Sequence, residues 1–433
     1  MKLLAAETPR TKEAVEMTTH QEQRQRPLLL VIATGMRLYR EYLLRSIAAE
    51  YRIHLFHVTE PTWEKEYLSG WSVVPSTTDG PAMAQTARQL NRKEPIDGVL
   101  CWDEARILAT SYVTEALGLR NGDPALVGRL RDKGQTRQAL DAAGVAQPRS
   151  VPVSTLEEAL AAVQQTDYPA ILKPRGLGGS MGVIRVDNEQ QLRERFAFTR
   201  DTRGPEQPDV FSDQPVLVEE CVTGSEISID SVVRDGVATP LFVARKVVGY
   251  PPYAEEIGHY VTAGDPLLAD PVLLALVRDT HAALGFRDGW THSEFMLTDA
   301  GPKVIEVNGR LGGDLIPYLG FLATGIDPGR AAAAAACGRQ PDLTATRSRT
   351  AGVRFFYVAE DDTTIDSIGF SEAVLPDGID RAMAVAQPGA LVSPPPKGTL
   401  WGRIAFVTAV GDSVAVCSRV IDAAEAALEV KAV

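Results

Sequence analysis

The chain has 433 residues, 45% of them apolar and 23% charged, with a formal net charge of -12. At roughly 150 residues per domain this length predicts about three domains and excludes a single small module. The acidic balance argues against a nucleic-acid binder, since the densest basic stretch, Arg129 to Arg137, is interrupted by Asp132 and Gly134 and reads as a solvated helix start. No apolar run approaches the ~18 residues that span a bilayer, so no membrane role is expected.

The stretch up to Pro27 carries Glu7, Glu13 and Glu16 without an apolar core and reads as a disordered tail (1-26), not a secretory signal. Cys101, Cys221, Cys337 and Cys417 form no CxxC pair, which suggests neither zinc nor disulfides and fits a reducing cytoplasm. Residues 27-125 alternate strand-like and helical runs: Leu28 to Ala33, Tyr39 to Glu50, Arg52 to Val58, Gly98 to Trp102 and Ala105 to Leu117. That rhythm predicts a small parallel α/β sheet. Its first turn, Ala33-Thr34-Gly35-Met36, lacks GxGxxG, so dinucleotide binding has little support there.

Asp132 as N-cap, Gln135 three residues on and Gly144 past the end predict a helix with Lys133 in its first turn. From Val151 to about Gly338 strands, hairpins and helices alternate, an α+β middle. Strands at Val353 to Val358 and Arg403 to Thr408, then a helix at Val420 to Val430, predict a third, mixed α+β domain at 350-433.

Three motifs carry the chemistry. The glycine-rich stretch from Lys173 to Gly182 lies between the apolar runs Ala170 to Leu172 and Val183 to Val186, so it reads as a loop joining two strands. Its glycines, including Gly178 and Gly179, let backbone amides approach a polyphosphate, while Lys173 adds a charge and Ser180 a hydroxyl. A P-loop is disfavoured because GxxxxGK[ST] is absent. Gly178 to Gly182 matches GxSxG, but the strand after Met181 denies Ser180 the helix that a nucleophile elbow needs.

The second motif is Thr291 to Asn308, read as a hairpin with the three-residue loop Asp299-Ala300-Gly301. With Thr298 facing Pro302, Glu294 faces Glu306 directly and Asn308 lies on the same face. Opposed carboxylates repel, so something positive is expected between them, and their hard oxygens suit Mg²⁺. Arg310 follows closely with a donor fork suited to phosphate or an oxyanion. The third motif, Val216 to Asp230, reads as strand, turn, strand, with Glu219, Glu220 and Glu226 as acidic positions.

In this order and spacing, Lys133, the Lys173 to Gly182 loop, Val218-Glu219-Glu220 with Glu226, and Glu294, Glu306, Asn308 and Arg310 resemble the ATP-grasp superfamily. Glu306 to Asp314 together with His292 to Phe295 resemble its L-amino-acid ligase and carnosine synthase branch, to whose C-terminal domain Gly398 to Gly411 is also similar.

The resemblance implies an ATP-grasp fold: an N-terminal parallel α/β domain, a central two-lobed ATP-binding domain at 126-338 and a C-terminal mixed domain. It implies Lys133 and Lys173 on the ATP phosphates, the loop with Gly178, Gly179, Ser180 and Met181 folded over them, Glu219, Glu220 and Val222 along the adenine, and Glu226 on the ribose. Glu294, Glu306 and Asn308 would ligate Mg²⁺, with Mn²⁺ as the alternative ion, and Arg310 would be the catalytic arginine. Glu256, His259, Gly312 and Gly313 are candidates for contact with substrate, although the stretch Val248 to His259 carries no readable substrate pattern. Tyr250, Tyr253, Tyr260 and Tyr318 suggest a pocket of mixed polarity.

The activity implied is ATP-dependent carboxylate-amine ligation through an acyl phosphate, joining small-molecule acids and amines such as amino acids or amino-acid-like acids. A homodimer is compatible with this. The rival readings are carboxylation or purine-type ligation, and a non-catalytic ATP-binding regulator.

Overall fold

The computed structural model describes residues 26-120, 122-204 and 215-433. All of the expected tail except Arg26 lies outside them. Strands β1 (Leu28–Ile32), β2 (Arg52–His57), β3 (Gly70–Val73) and β4 (Gly98–Leu100) form a parallel sheet in the order β3-β2-β1-β4. Around it lie α1 (Arg37–Ala48), α2 (Gly80–Lys93) and α3 (Ile107–Ala116). The sequence reading omitted β3, whose half-exposed Gly-Trp-Ser-Val gives a weak signal, and α2, although Asp79 caps the latter by accepting from Ala82 N.

Helices α4 (Pro124–Arg131) and α5 (Lys133–Ala142) follow. Asp132 caps α5 through Gly134 N and Gln135 N, and Gly144 takes a left-handed φ of 67° beyond its end, as the start and stop signals require. The first lobe comprises β5 (Ser150–Val153), α6 (Leu156–Thr166), β6 (Ala170–Pro174), β7 (Ile184–Val186), α7 (Glu189–Asp201) and β8 (Val216–Glu220), with strand order β5-β8-β6-β7. As expected, the glycine-rich loop joins the antiparallel pair β6 and β7.

The second lobe is built on β9 (Ser225–Arg234), β10 (Val237–Gly249), β11 (Glu255–Thr262), α8 (Pro271–Leu284), β12 (Gly289–Thr298), β13 (Gly301–Asn308), α9 (Ile316–Thr324) and α10 (Pro328–Ala336). The C-terminal segment adds β14 (Thr350–Tyr357), β15 (Thr363–Phe370), β16 (Ile379–Ala384), β17 (Leu391–Val392), β18 (Arg403–Gly411), α11 (Val414–Glu425) and β19 (Leu428–Ala432). Among the described residues one eight-stranded sheet runs β13-β12-β9-β10-β11-β14-β18-β16. The second lobe and the C-terminal segment therefore share a sheet, because β14 pairs with β11 from Gly258↔Arg354 to Thr262↔Thr350.

The last helix differs from the Val420 to Val430 expectation. Ser413 caps it early by accepting from Val416 N, and Leu428–Ala432 leaves it to pair with β15. One apolar core joins the parallel sheet, the second lobe and the C-terminal segment: Leu29, Val31 and Leu44 pack with Phe242, Trp290 and Leu319 and with Phe355 and Phe406, while the first lobe has its own core around Leu172, Phe196 and Val218. At ~25 cal/mol per Å² of buried apolar area, such a shared core fixes the parallel sheet against the large one.

Candidate active site

The β12–β13 hairpin sets the centre of the site. Its turn is Asp299-Ala300, a two-residue loop rather than the expected three, with Thr298 opposite Gly301. A bulge then leaves Ile305 unpaired between Phe295↔Val304 and Glu294↔Glu306. The two departures cancel, so Glu294 does face Glu306, and His292 faces Asn308.

The positive charge expected between these carboxylates is supplied by side chains. Lys133 Nζ lies 3.1 Å from Glu306, and Lys246 Nζ lies 3.0 Å from Glu294. Lys246, only 1% exposed, also reaches Glu226 at 2.7 Å and Glu256 at 2.8 Å. Burial disfavours its charge, but the three glutamates outweigh that and raise its pKa well above the ordinary value. Burial likewise works to raise Glu294, yet Lys246 and His292 hold it below the usual carboxylate range.

Sequence reasoning missed Lys246. Its only signal was the Arg245-Lys246 pair inside an otherwise apolar strand, Leu241 to Val248. Glu226, Glu256 and Glu294 could by spacing hold a cation, but Lys246 Nζ already fills that position. Glu294, Glu306 and Asn308 do fit Mg²⁺: two opposed, partly accessible carboxylates and an amide oxygen form a hard donor set on the cleft side of the sheet.

The basic stretch Arg129 to Arg137 is not a solvated helix start: Arg131, Lys133 and Arg137 are buried. Arg131 pairs with Glu104 and donates to Gly176 O at 3.1 Å, while Lys133 Nζ donates to Leu177 O at 2.5 Å. Arg137 Nε meets Glu219 at 2.8 Å, and Lys173 Nζ meets the same carboxylate at 2.6 Å. Burial pushes Glu219 up, but Arg137 and Lys173 overcome it and hold the carboxyl at about 2. The Glu219 side chain is thus turned toward Lys173, and Glu220 toward Lys303 at 2.7 Å. In the connector 221-224, Cys221 and Val222 are half-buried and Thr223 and Gly224 exposed.

The loop over these groups needs unusual backbone. Gly179 (φ 63°), Ser180 (φ 54°) and Gly182 (φ 73°) are left-handed, and a Cβ on Gly179 would meet Leu400 at 2.5 Å. A C-terminal turn, Thr399–Gly402, therefore touches this loop. Met181 is buried, and Gly178 has Glu104 as its nearest neighbour, at 3.7 Å from a built Cβ.

Arg310 is paired with Glu104, which reaches across from the end of the parallel sheet, and donates to Leu311 O at 2.7 Å. Beyond it the chain is pinned twice. The fully buried Asp230 accepts from Gly312 N at 3.0 Å and Trp290 Nε1 at 2.7 Å, and lies 3.3 Å from His292. Arg403 holds Asp314 through both oxygens, at 2.6 and 2.8 Å. Asp314 and Leu315 both have positive φ, 49° and 63°, a strain these anchors sustain.

His259, fully buried, sits 3.4 Å from both Asp314 and Glu256, with Nδ1 unpartnered among the described residues. Gly313 has open space beside it. The four tyrosines do not converge: Tyr250 packs on Tyr357, Tyr253 on Phe198 and Tyr318 on Tyr42, while Tyr260 lies in the C-terminal core.

Two lobes on a glycine-rich strand loop and a two-carboxylate hairpin, with buried lysines between them, define an ATP-grasp protein, and residues 166–317 match the ATP-grasp domain family. The chain belongs to the ATP-grasp family.

It is 30% identical over 355 residues to the uncharacterized protein y4rH of Sinorhizobium fredii, covering 78% of this chain and 68% of that one. It is 30% identical over 264 residues to human carnosine synthase 1, 58% of this chain and 32% of that protein. Alanine–anticapsin ligase of Bacillus subtilis matches at 25% over 241 residues, 52% of this chain and 50% of that one. The chain thus spans a third to a half of these two named relatives. The crystal structure of L-amino acid ligase from Bacillus licheniformis shares the fold with TM-score 0.76 at 22% identity, over 94% of this chain and 98% of that one. No helix among the described residues is long and apolar enough to cross a membrane.

Proposed function

We propose that the chain activates a small carboxylic acid, an amino acid or amino-acid-like acid, as an acyl phosphate with ATP. It then joins the acyl group to an amine as a peptide or amide bond. The observation that carries this reading is the opposition of Glu294 and Glu306 with Asn308 beside them, Lys133 on Glu306 and Arg310 two residues on. In sequence the carboxylate oxygen attacks the γ-phosphorus of ATP and the bond to the bridging oxygen breaks, releasing ADP. The amine nitrogen then attacks the acyl carbon, the carbon–oxygen bond to phosphate breaks, and the amine loses its proton to solvent.

Lys133 and Lys173 supply fixed positive charge to the phosphates, in a reaction governed by positioning and electrostatics. Mg²⁺ held by Glu294, Glu306 and Asn308 would neutralise charge developing on the transferred group. Arg310 would donate to the oxyanion of the tetrahedral intermediate. The loop at Gly178 to Met181 would cover the triphosphate, and the backbone near Glu220 and Val222 would line the adenine. Glu256 and His259, 3.4 Å apart, would face the substrate from this corner. We treat 27-125, 126-338 and 350-433 as the units contributing, respectively, a substrate wall, the nucleotide site and a cover for the loop.

The test is phosphate release from Mg-ATP with amino acids offered singly and in pairs. Release that needs a particular pair and disappears in Glu306→Ala is expected. ATP binding without stimulation by any acid or pair would sink the ligase reading, and release that depends on bicarbonate would replace it with carboxylation.

A further inference from the structure

Arg40, in α1, brings a guanidinium from the parallel sheet's side into the same cleft. Its Nη1 makes one hydrogen bond, a long one of 3.3 Å to Gly312 O. The charged groups that face it are Arg310, Asp103 and Asp314. Each nearby carboxylate already serves another arginine: Asp103 holds Arg106 at 2.5 Å, Glu104 is shared by Arg131 and Arg310, and Asp314 is gripped by Arg403. Among the described residues no carboxylate pairs with Arg40.

A guanidinium carries five donors, and Arg40, half-buried at the cleft, spends one of them on a long bond to a carbonyl. Burial, with Arg310 adding to it, pushes Arg40 below its ordinary pKa. The local arrangement is thus short of one anion. The ATP phosphates are an unsuitable source, since the groups assigned to them, Lys133 and Lys173, gather at Glu306 and Glu219, whereas Arg40 meets the loop beyond Arg310, at Gly312.

Resting on the ligase reading, we propose that Arg40 binds a substrate carboxylate that is not consumed in the reaction. One of the two joined compounds then carries a carboxylate besides the activated one. It is either an α-amino acid acting as the amine, which keeps its own carboxylate, or an acid with a second carboxylate. The planar fork suits this task because it takes both oxygens at once.

The experiment compares wild type, Arg40→Gln and Arg40→Lys by phosphate release from Mg-ATP, with each amine-side amino acid set against its carboxamide and each dicarboxylic acid against its monoamide. In Arg40→Gln the KM for the carboxylate-bearing compound should rise at least about tenfold (~1.4 kcal/mol), with KM for ATP unchanged. The amide analogue should be used alike by wild type and variant, and Arg40→Lys should recover part of the loss. A penalty tied to the amine's carboxylate assigns the amine, and one tied to the acid's second carboxylate assigns the acid. Equal discrimination between carboxylate and amide in wild type and Arg40→Gln overturns the proposal, as does a penalty confined to ATP. If no substrate stimulates wild-type release, the ligase reading fails and this inference with it; normal wild-type turnover with an indifferent Arg40→Gln sinks this inference alone.

Discussion

Replacing Arg137 by methionine tests how the nucleotide lysine is held. The guanidinium donates to both Glu219 oxygens, at 2.8 and 3.3 Å, and to the carbonyls of Val304 at 3.1 Å and Ile305 at 2.7 Å. Methionine keeps the stem's volume but supplies no donor, and breaking one side of a buried ion pair costs roughly 3–5 kcal/mol. A second route gives a similar size: Glu219 sits at about 2 against 4.5, and at ~1.4 kcal/mol per unit that depression corresponds to on the order of 3 kcal/mol, shared with Lys173.

The folded-state pKa is depressed, so this stabilisation is present above pH 4.5 and is lost as the pH falls toward about 2. Arg137→Met should therefore lose about 3 kcal/mol at neutral pH, with the deficit narrowing as the pH is lowered through that window. Urea denaturation followed by far-UV circular dichroism measures both. A loss under ~1 kcal/mol, or one that does not change with pH, would refute the reasoning. With Glu219 left to Lys173 alone, KM for ATP should also rise.

Gly312→Ala places a Cβ 2.9 Å from both Asp230 Oδ2 and His292 Nδ1, so Asp230 must release the loop or shift. An overpacking cost of about 1–3 kcal/mol in urea unfolding is expected, with a fall in kcat because Arg310 and Asp314 flank the position; wild-type stability in the variant would contradict the pinning role. Glu255, buried beside Tyr357, which donates to it at 2.8 Å, is pushed up to about 7, chiefly by burial. A raised pKa means that its favourable contribution is full below pH 4.5 and lost as the pH rises through about 7. Glu255→Gln should accordingly gain urea stability over wild type across that interval, and parallel pH profiles would rule this out.

Much of the site was legible because its signals are local. The Asp132, Gln135 and Gly144 signals placed Lys133 on a helix start, the glycines from Gly176 to Gly182 marked a strand-to-strand loop, and the two-residue period brought Glu294 opposite Glu306. Even there the pairing rested on two features that cancel, the shorter turn and the Ile305 bulge, which alternation alone does not distinguish from a longer turn.

The sequence by itself determined which residue types stand at cap, loop and hairpin, since propensity and pleat act over a few residues. Tertiary structure decided their partners. Arg137 meets Glu219, 82 residues away, Arg310 meets Glu104, 206 away, and Asp230 finds Gly312 N, 82 away. Lys246 joins three glutamates from three neighbouring strands, and Arg40 comes to Gly312 from 272 residues upstream. Such pairings arise only when the lobes and sheets pack together, and the burial that follows makes an unpaired charge costly.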